Sequence, residues 1–475
     1  MDGQDDDRAP ERRPDRRTGG ELRPMLVLAG PVILAELGWM AMNVVDLLFV
    51  GQLDDGSVGI GAVGLGGILF FCVAIFGVGM LLGLDTLVAH AFGAGHPEDG
   101  QRSLTHGLYL ALMLSGPLMV LIAILASGLG LLGIDPAVHR EAAPYLFALN
   151  WSVPPLLIFF ACRRYLQAIN RVLPIVLALV SANLINVLAD WAFVFGNLGA
   201  PALGVEGAGW ATLLSRTWMM AVLVAAIAWH EHRHQTGFWL RDRWRWESAR
   251  LRRLVALGLP AALQFVLEVG VFAIATALAA RLDPSALAAH QIALNAASIS
   301  YMIPLGLSSA GAVRVGQGLG RKDPAGARRA GWYALGLGAA FMSIAALAFV
   351  LIPKTIISAF TDAPAVVAIG ARLLLVAAVF QLFDGLQVVA TGVLRGAGDT
   401  KTPMLSNLFA YWTLGLPLGY FLCFGGGLGV VGLWIGLSAG LVVVGSSLLA
   451  IWARKSSGWG HADAETIPAG ACIVS

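Results

Sequence analysis

Twelve mostly apolar runs, each long enough to cross a bilayer, follow one another along this chain. A helical span needs about 20 such residues. The runs lie near 25–50, 58–84, 103–127, 142–163, 172–196, 205–229, 252–281, 286–313, 330–352, 366–394, 403–424 and 428–453. Of 475 residues 57% are hydrophobic and only 13% charged, with mean hydropathy +0.76. A soluble domain carries roughly 25% charged residues. The expected class is therefore an all-α integral membrane protein. The four cysteines, Cys72, Cys162, Cys423 and Cys472, show no metal-ligand spacing and read as small hydrophobes.

All but five of the 31 Lys and Arg fall in the two tails or in the connections after spans 2, 4, 6, 8 and 10. Only Arg140, Arg281, Lys354 and Arg372 lie near the opposite side, and Arg216 lies within span 6. The positive-inside rule then puts both termini in the cytoplasm. The start, MDGQDDDRAPERRPDRRTGGELRP, lacks the apolar core of a signal peptide and reads as a disordered tail with a solvated acid run at Asp5–Asp7. The connection after span 6 alternates Trp with Arg, which suits the headgroup region. A basic loop between spans is expected in any case, so no nucleic-acid partner is inferred.

The two halves repeat. Pro31 answers Pro260 and Pro174 answers Pro403 at an offset of 229, and Gly196 answers Gly425 at the same offset. Pro97 answers Pro324 at 227, and LGVEG at 203–207 answers LGVVG at 428–432 at 225. Each half has six spans, so both insert with the same orientation and are related by a pseudo-twofold axis along the membrane normal, with a cavity between them. The expected organisation is a cytoplasmic tail at 1–21, six-helix lobes at 22–229 and 252–455, a cytoplasmic linker at 230–251 and a second tail at 456–475. Pro31, Pro154, Pro155, Pro260, Pro304 and Pro417 are kink candidates. GIGAVG at 59–64 has glycine-loop spacing but lies in a span without a preceding strand, so it carries no nucleotide-binding signal.

Four carboxylates stand in these spans, far from other charges: Asp46, Asp190, Glu268 and Asp384. Each costs roughly 2.5–3.5 kcal/mol near the bilayer centre, which points to a binding role. Asn186 and Asp190 share a helix face at i,i+4. With Asp46 and Thr212 they would make a cluster of oxygens suited to Na+. Alternatively, two nearby carboxyls would hold an exchangeable proton. For Asn186 and Thr212 alone, helix–helix hydrogen bonding is the plainer reading.

In the second half, Gln264 and Glu268 form another i,i+4 pair, and Gln291 and Asn295 share a face of span 8. Phe380 lies one turn before Asp384 and offers a ring face to an organic cation. Glu36 and Asp85 sit nearer span ends, where water is close. Arg216 either pairs with a carboxylate or snorkels. His90 and His290 read as packed, hydrogen-bonded side chains, with a proton relay as the alternative.

Several segments resemble the multidrug and toxic compound extrusion (MATE) transporters, especially the NorM-type branch, over residues 22–455. They are MNVVDLLFVGQL around Asp46, LEVGVF at 267–272, AHQIALN at 289–295, GAVRVGQGLGRKDPAGARRA at 311–330 and FQLFDGLQVVATGVLRGAGDTKTP at 380–403. The resemblance implies antiport, in which H+ or Na+ enters and a drug-like organic cation leaves. By motif position it implies one site at Asp46, Asn186, Asp190 and Thr212 and another at Glu268 and Asp384. Either could hold Na+. Phe380 replaces the tyrosine of NorM-type members thought to bind Na+ there, which tilts the reading toward H+.

The expected protein is a cation-coupled exporter of amphipathic organic cations in the bacterial cytoplasmic membrane, working as a monomer without a cofactor. A lipid-linked oligosaccharide flippase of related architecture is the rival. It would need cationic groups for pyrophosphate, whereas the buried charge here is mostly acidic. A membrane-embedded enzyme is a weaker rival, since the chain carries no HExxH, GxSxG or DDxxD.

Overall fold

A computed structural model describes residues 22–460 except 54, 133–135 and 235–243. The expected first tail, residues 461–475 of the expected second tail and residues 235–243 of the expected linker lie outside the described residues; residues 230–234 of that linker continue α8 and 248–251 begin α9. All described elements are helical. The first half holds α1 (Leu22–Val50), α2 (Gly56–Met80), α3 (Gly83–Gly93), α4 (Pro97–Gly128), α5 (Pro136–Asn150), α6 (Val153–Ala168), α7 (Leu173–Phe195) and α8 (Val205–His234). The second holds α9 (Ser248–Ala279), α10 (Pro284–Gly320), α11 (Pro324–Leu351), the short α12 (Pro353–Ser358), α13 (Pro364–Gly396), α14 (Lys401–Asn407), α15 (Leu416–Tyr420) and α16 (Gly429–Ser457).

Local chemistry sets the ends of these helices. Prolines occupy the first turn of α4, α7, α10, α11 and α13, where the missing N–H is no loss. Asp283 and Asp323 cap α10 and α11 by accepting from the Ala286 and Gly326 amides at 2.9 and 2.8 Å. Gly196, in the left-handed region at φ 76°, ends α7.

Among the described residues eleven helices are long and apolar enough to cross a membrane, and a bent pair supplies the twelfth span. That pair is α5 and α6, which meet at 48° just before Pro154 and Pro155. Span 2 runs farther than its apolar run suggested, from Gly56 to Gly93, and so carries Asp85 inside the protein rather than at a wet end. Span 11 contains two π-helical stretches, Leu408–Gly415 and Phe421–Gly425, separated by Pro417 in α15. Leucines, isoleucines and valines such as Leu48, Ile68, Leu184, Ile344 and Val379 are over half exposed on the outer surface, which lipid tolerates and water does not.

The packing repeats between halves. In the first, span 1 packs on span 5, span 5 on span 6 and span 2 on span 4; in the second, span 7 packs on span 11, span 11 on span 12 and span 8 on span 10. Between the lobes α1 packs on α10 and α2 on α9, two contacts that exchange when the lobes are swapped. That exchange is what a twofold axis between the lobes requires.

The lobes touch at the end of the bundle that bears the Lys- and Arg-rich connections, called here the basic end. At Gly79 of α2 an added Cβ would lie 2.5 Å from the Ala262 Cα of α9, and at Gly258 of α9 it would collide with the Met80 carbonyl oxygen. Only glycine admits this approach of two backbones. The α1–α10 contact at Ile33 and Gly306 and the α3–α10 contact at His90 and Gly320 lie in the same half of the molecule.

Candidate functional site

The N-terminal lobe brings its four expected residues together. Asp46 of α1 is 2% exposed and accepts from Asn186 Nδ2 at 3.0 Å and from the Thr212 hydroxyl at 2.9 Å. Asp190, one turn from Asn186 on α7, is fully buried with its carboxyl against that of Asp46. Neither Asp190 oxygen receives a hydrogen bond from a donor of the protein. Two carboxylates in one dry site cannot both keep their charge unless a cation lies between them. A shared proton supplies the missing donor. A Na+ would find two carboxylates, an amide and a hydroxyl, a hard-oxygen set. Among the described residues no three His, Cys, Asp or Glu side chains converge as a metal cluster.

The C-terminal lobe builds a different arrangement. Asp384 of α13 is buried and lies within electrostatic reach of Glu268 on α9, beside which sits Gln387, one turn from Asp384. Gln387 is held by two partners on span 11: its Oε1 accepts from the Tyr411 hydroxyl at 2.8 Å, and its amide donates to Asn407 Oδ1 at 3.2 Å. The π-helical stretch carries Tyr411 and also Trp412, whose indole donates to the Leu267 carbonyl at 3.2 Å. Such stretches rotate side chains out of α-helical register. Among the described residues neither Glu268 nor Asp384 has a Lys, Arg or His within ion-pair distance. Glu268 is half-buried and lies six residues, about 9 Å along the helix, beyond Ala262 in the lobe seam.

The other expected residues of this lobe fall around the acids rather than on them. Gln264 is buried and reaches the Thr391 hydroxyl at 3.4 Å. Phe380 packs its ring 5.9 Å from that of Trp434 and is only 6% exposed, so it belongs to the lobe's core. Asn295 is exposed on α10. His290 Nδ1 accepts from the Trp434 indole at 2.9 Å, and its Nε2 meets the Thr276 hydroxyl at 3.0 Å. Indole N–H only donates, so Nδ1 carries no proton and the ring is neutral. That bond fits the packed, hydrogen-bonded reading of His290.

A third cluster joins the lobes at the basic end, and the sequence reading missed it. Asp85 of α3 lies 3.5 Å from Arg164 Nη1 of α6 and 3.3 Å from Arg395 Nε of α13, all three nearly inaccessible. Beside them Glu36 of α1 pairs with Arg163 of α6. Neutral bonds follow the same seam: the Thr86 hydroxyl donates to the Arg395 carbonyl at 2.6 Å, His90 Nε2 meets the Gly396 carbonyl at 2.9 Å, and Gln317 donates to the Ala168 carbonyl at 2.8 Å. Arg163, Arg164 and Arg395 had counted as charges of the basic connections. Arg163 ends the fourth apolar run and Arg164 and Arg395 directly follow the fourth and tenth, so only packing shows that they turn inward. Arg216 is likewise buried and has no carboxylate within ion-pair distance among the described residues.

A family model described as MatE matches residues 31–192 and again 260–421. A "Probable multidrug resistance protein NorM" from Mesorhizobium japonicum is 40% identical over 94% of this chain and 96% of its own length. One from Rhodopseudomonas palustris with the same description is 38% identical over 90% of this chain and 91% of its own. Among solved structures, the outward-facing conformation of a multidrug resistance MATE family transporter aligns with TM-score 0.83 at 19% identity, over 93% of this chain and 97% of that one. The eukaryotic MATE transporter AtDTX14 aligns with TM-score 0.79 at 24% identity, over 92% and 98%. The two matches of the family model fall on the two lobes.

Proposed function

The chain belongs to the MatE family, and from that premise we propose that it is a multidrug efflux transporter of the bacterial cytoplasmic membrane, exchanging inward-moving protons for outward-moving organic cations. The relatives named as multidrug resistance proteins support the export of drugs. The observation that carries the coupling is the Asp46–Asp190 contact, where two buried carboxyls meet and both Asp190 oxygens lack a donor. Such a site binds one small positive charge when dry and gives it up when opened to water.

Glu268 and Asp384 carry the cargo in this reading. Among the described residues they have no Lys, Arg or His within ion-pair distance, and the half-buried Trp412 packs on the same helix as Glu268, its indole on the Leu267 carbonyl. An organic cation there gains both charge attraction and ring contact. Proton and cargo thus occupy different lobes in this reading, coupled through the change of state that exposes both sites. With the basic end in the cytoplasm, the closed seam corresponds to an outward-facing state, and alternating access requires the seam to part. Arg163, Arg164 and Arg395 lie opposite Glu36 and Asp85, and the acids Glu268 and Asp384 stand where a lipid pyrophosphate would need cations, which disfavours the flippase reading.

The test is drug resistance in an efflux-deficient host. One charge-assisted contact is worth about 1.5–3 kcal/mol, roughly a 10- to 100-fold change in affinity. Glu268→Gln and Asp384→Asn should each abolish resistance while the protein still reaches the membrane. Wild-type resistance from both variants would refute the site assignment.

A further inference from the structure

Arg216 lies directly beneath the N-terminal carboxylates, one turn after Thr212 on α8. The residue is 6% exposed. Nη1 donates to the Ser152 hydroxyl at 2.6 Å, and Nε has no hydrogen-bond partner. Its Cζ stands 4.6 Å over the Phe70 ring and 5.6 Å over the Trp39 ring. The titratable groups acting on it are Tyr145 of α5 and Asp46 of α1, and Asp190 of α7 acts on Asp46 in turn. The neighbouring α2 contributes the Phe70 ring.

A buried arginine without a carboxylate against it is costly to hold. What it occupies here is the pair of aromatic faces beside two acids, the surroundings that an organic cation would seek. Resting on the reading that organic cations are the cargo, we propose that Arg216 is a built-in occupant of the N-terminal site: it fills the Phe70–Trp39 faces and offsets one of the two carboxylates, so this lobe takes one proton or one small monovalent cation and excludes organic cations. The charges agree with this. Asp46, Asp190 and Arg216 together carry one net negative charge when both acids are ionised, which a single proton cancels. Among the described residues the C-terminal acids have no such arginine, and the cargo goes there. Arg216 is thus a specificity-determining residue that assigns the two lobes their different ions.

The experiment is binding of tetraphenylphosphonium to the purified full-length protein in detergent. Wild type should bind it, and E268Q/D384N should lose at least tenfold in affinity. Adding R216Q to that pair should restore binding. Adding R216K, which keeps the charge, should not, and adding D46N to the R216Q triple variant should abolish the restored binding. Wild-type affinity in E268Q/D384N would overturn the cargo reading itself. Loss in E268Q/D384N with no recovery in monodisperse R216Q protein would overturn only the role of Arg216. A second measurement leaves Arg216 intact and so does not depend on that variant folding. The proton uptake of E268Q/D384N between alkaline and acid pH, minus that of the same protein with D46N and D190N added, should be one proton per molecule. Two protons would overturn the proposal.

Discussion

Replacing Asp85 by asparagine removes the only acid, among the described residues, near both Arg164 and Arg395 and leaves the two arginine side chains, 7% and 6% exposed, buried at the lobe seam. Breaking a buried pair by removing one partner costs about 3–5 kcal/mol. The contacts here are 3.5 and 3.3 Å, longer than the 2.7–2.9 Å of a strong charge-assisted bond, so the lower end applies. Arg164 also keeps Ser309 Oγ and Gln167 Oε1, each at 3.4 Å, which further limits the loss. About 3 kcal/mol is a shift of roughly 100-fold in an equilibrium at 1.4 kcal/mol per decade. The cost falls on the closed seam alone, because parting the lobes hydrates both arginines. Asp85→Asn should therefore populate the state open at the basic end. Spin labels at Arg171 and Lys401, exposed on opposite lobes at that end, report the separation by electron–electron resonance. The native labelled protein should show one short distance, and Asp85→Asn should add a longer population. Adding Arg395→Met should return part of it to the short distance, because the stranded charge is gone. An unchanged distribution in Asp85→Asn would refute the assignment of this cluster as the seam's fastening.

Two further outcomes follow from the packing and the loop chemistry. Gly258→Ala places a methyl against the Met80 carbonyl and should cost about 1–3 kcal/mol of the closed state, whereas Gly64→Ala, with nothing within 4 Å, should be neutral; the same label pair and thermal unfolding separate them. Burial opposes ionisation of Asp399, but the Lys455 ammonium at 3.0 Å and the Thr402 amide and hydroxyl outweigh it and hold this carboxyl below its ordinary value of 3.8. Because the folded value is the lower one, the stabilisation is full above 3.8 and is lost as pH falls through the folded value. Asp399→Asn should lower the unfolding temperature at neutral pH, and its difference from wild type should fade in strong acid.

The spans, the repeat and the oxygen cluster of the first lobe were legible because each leaves a local mark: a long apolar run, a recurring proline, a lone acid, an i,i+4 pair. Asp46 and Asp190 could be joined from sequence because an isolated carboxylate in a span needs a partner, and span 1 supplied one. The seam cluster was not legible in the same way. Arg163, Arg164 and Arg395 sit where cytoplasmic charges are expected, and their inward turn depends on α3 lying between α6 and α13. Phe380 read as a free ring face because its partner, Trp434, lies far along the chain on α16. The π-helical stretch that aims Tyr411 at Gln387 has no mark in the apolar pattern of span 11, since LFAYWTLG is apolar at nearly every position and singles out no face.

The central claim is that a proton, bound between buried carboxylates, drives an organic cation outward. Protein reconstituted in liposomes tests it directly, with a pH gradient or a Na+ gradient imposed alone and tetraphenylphosphonium movement followed. The account predicts transport driven by the pH gradient without Na+ and abolished by Asp46→Asn. Transport driven by Na+ alone, with no response to the pH gradient, would contradict it.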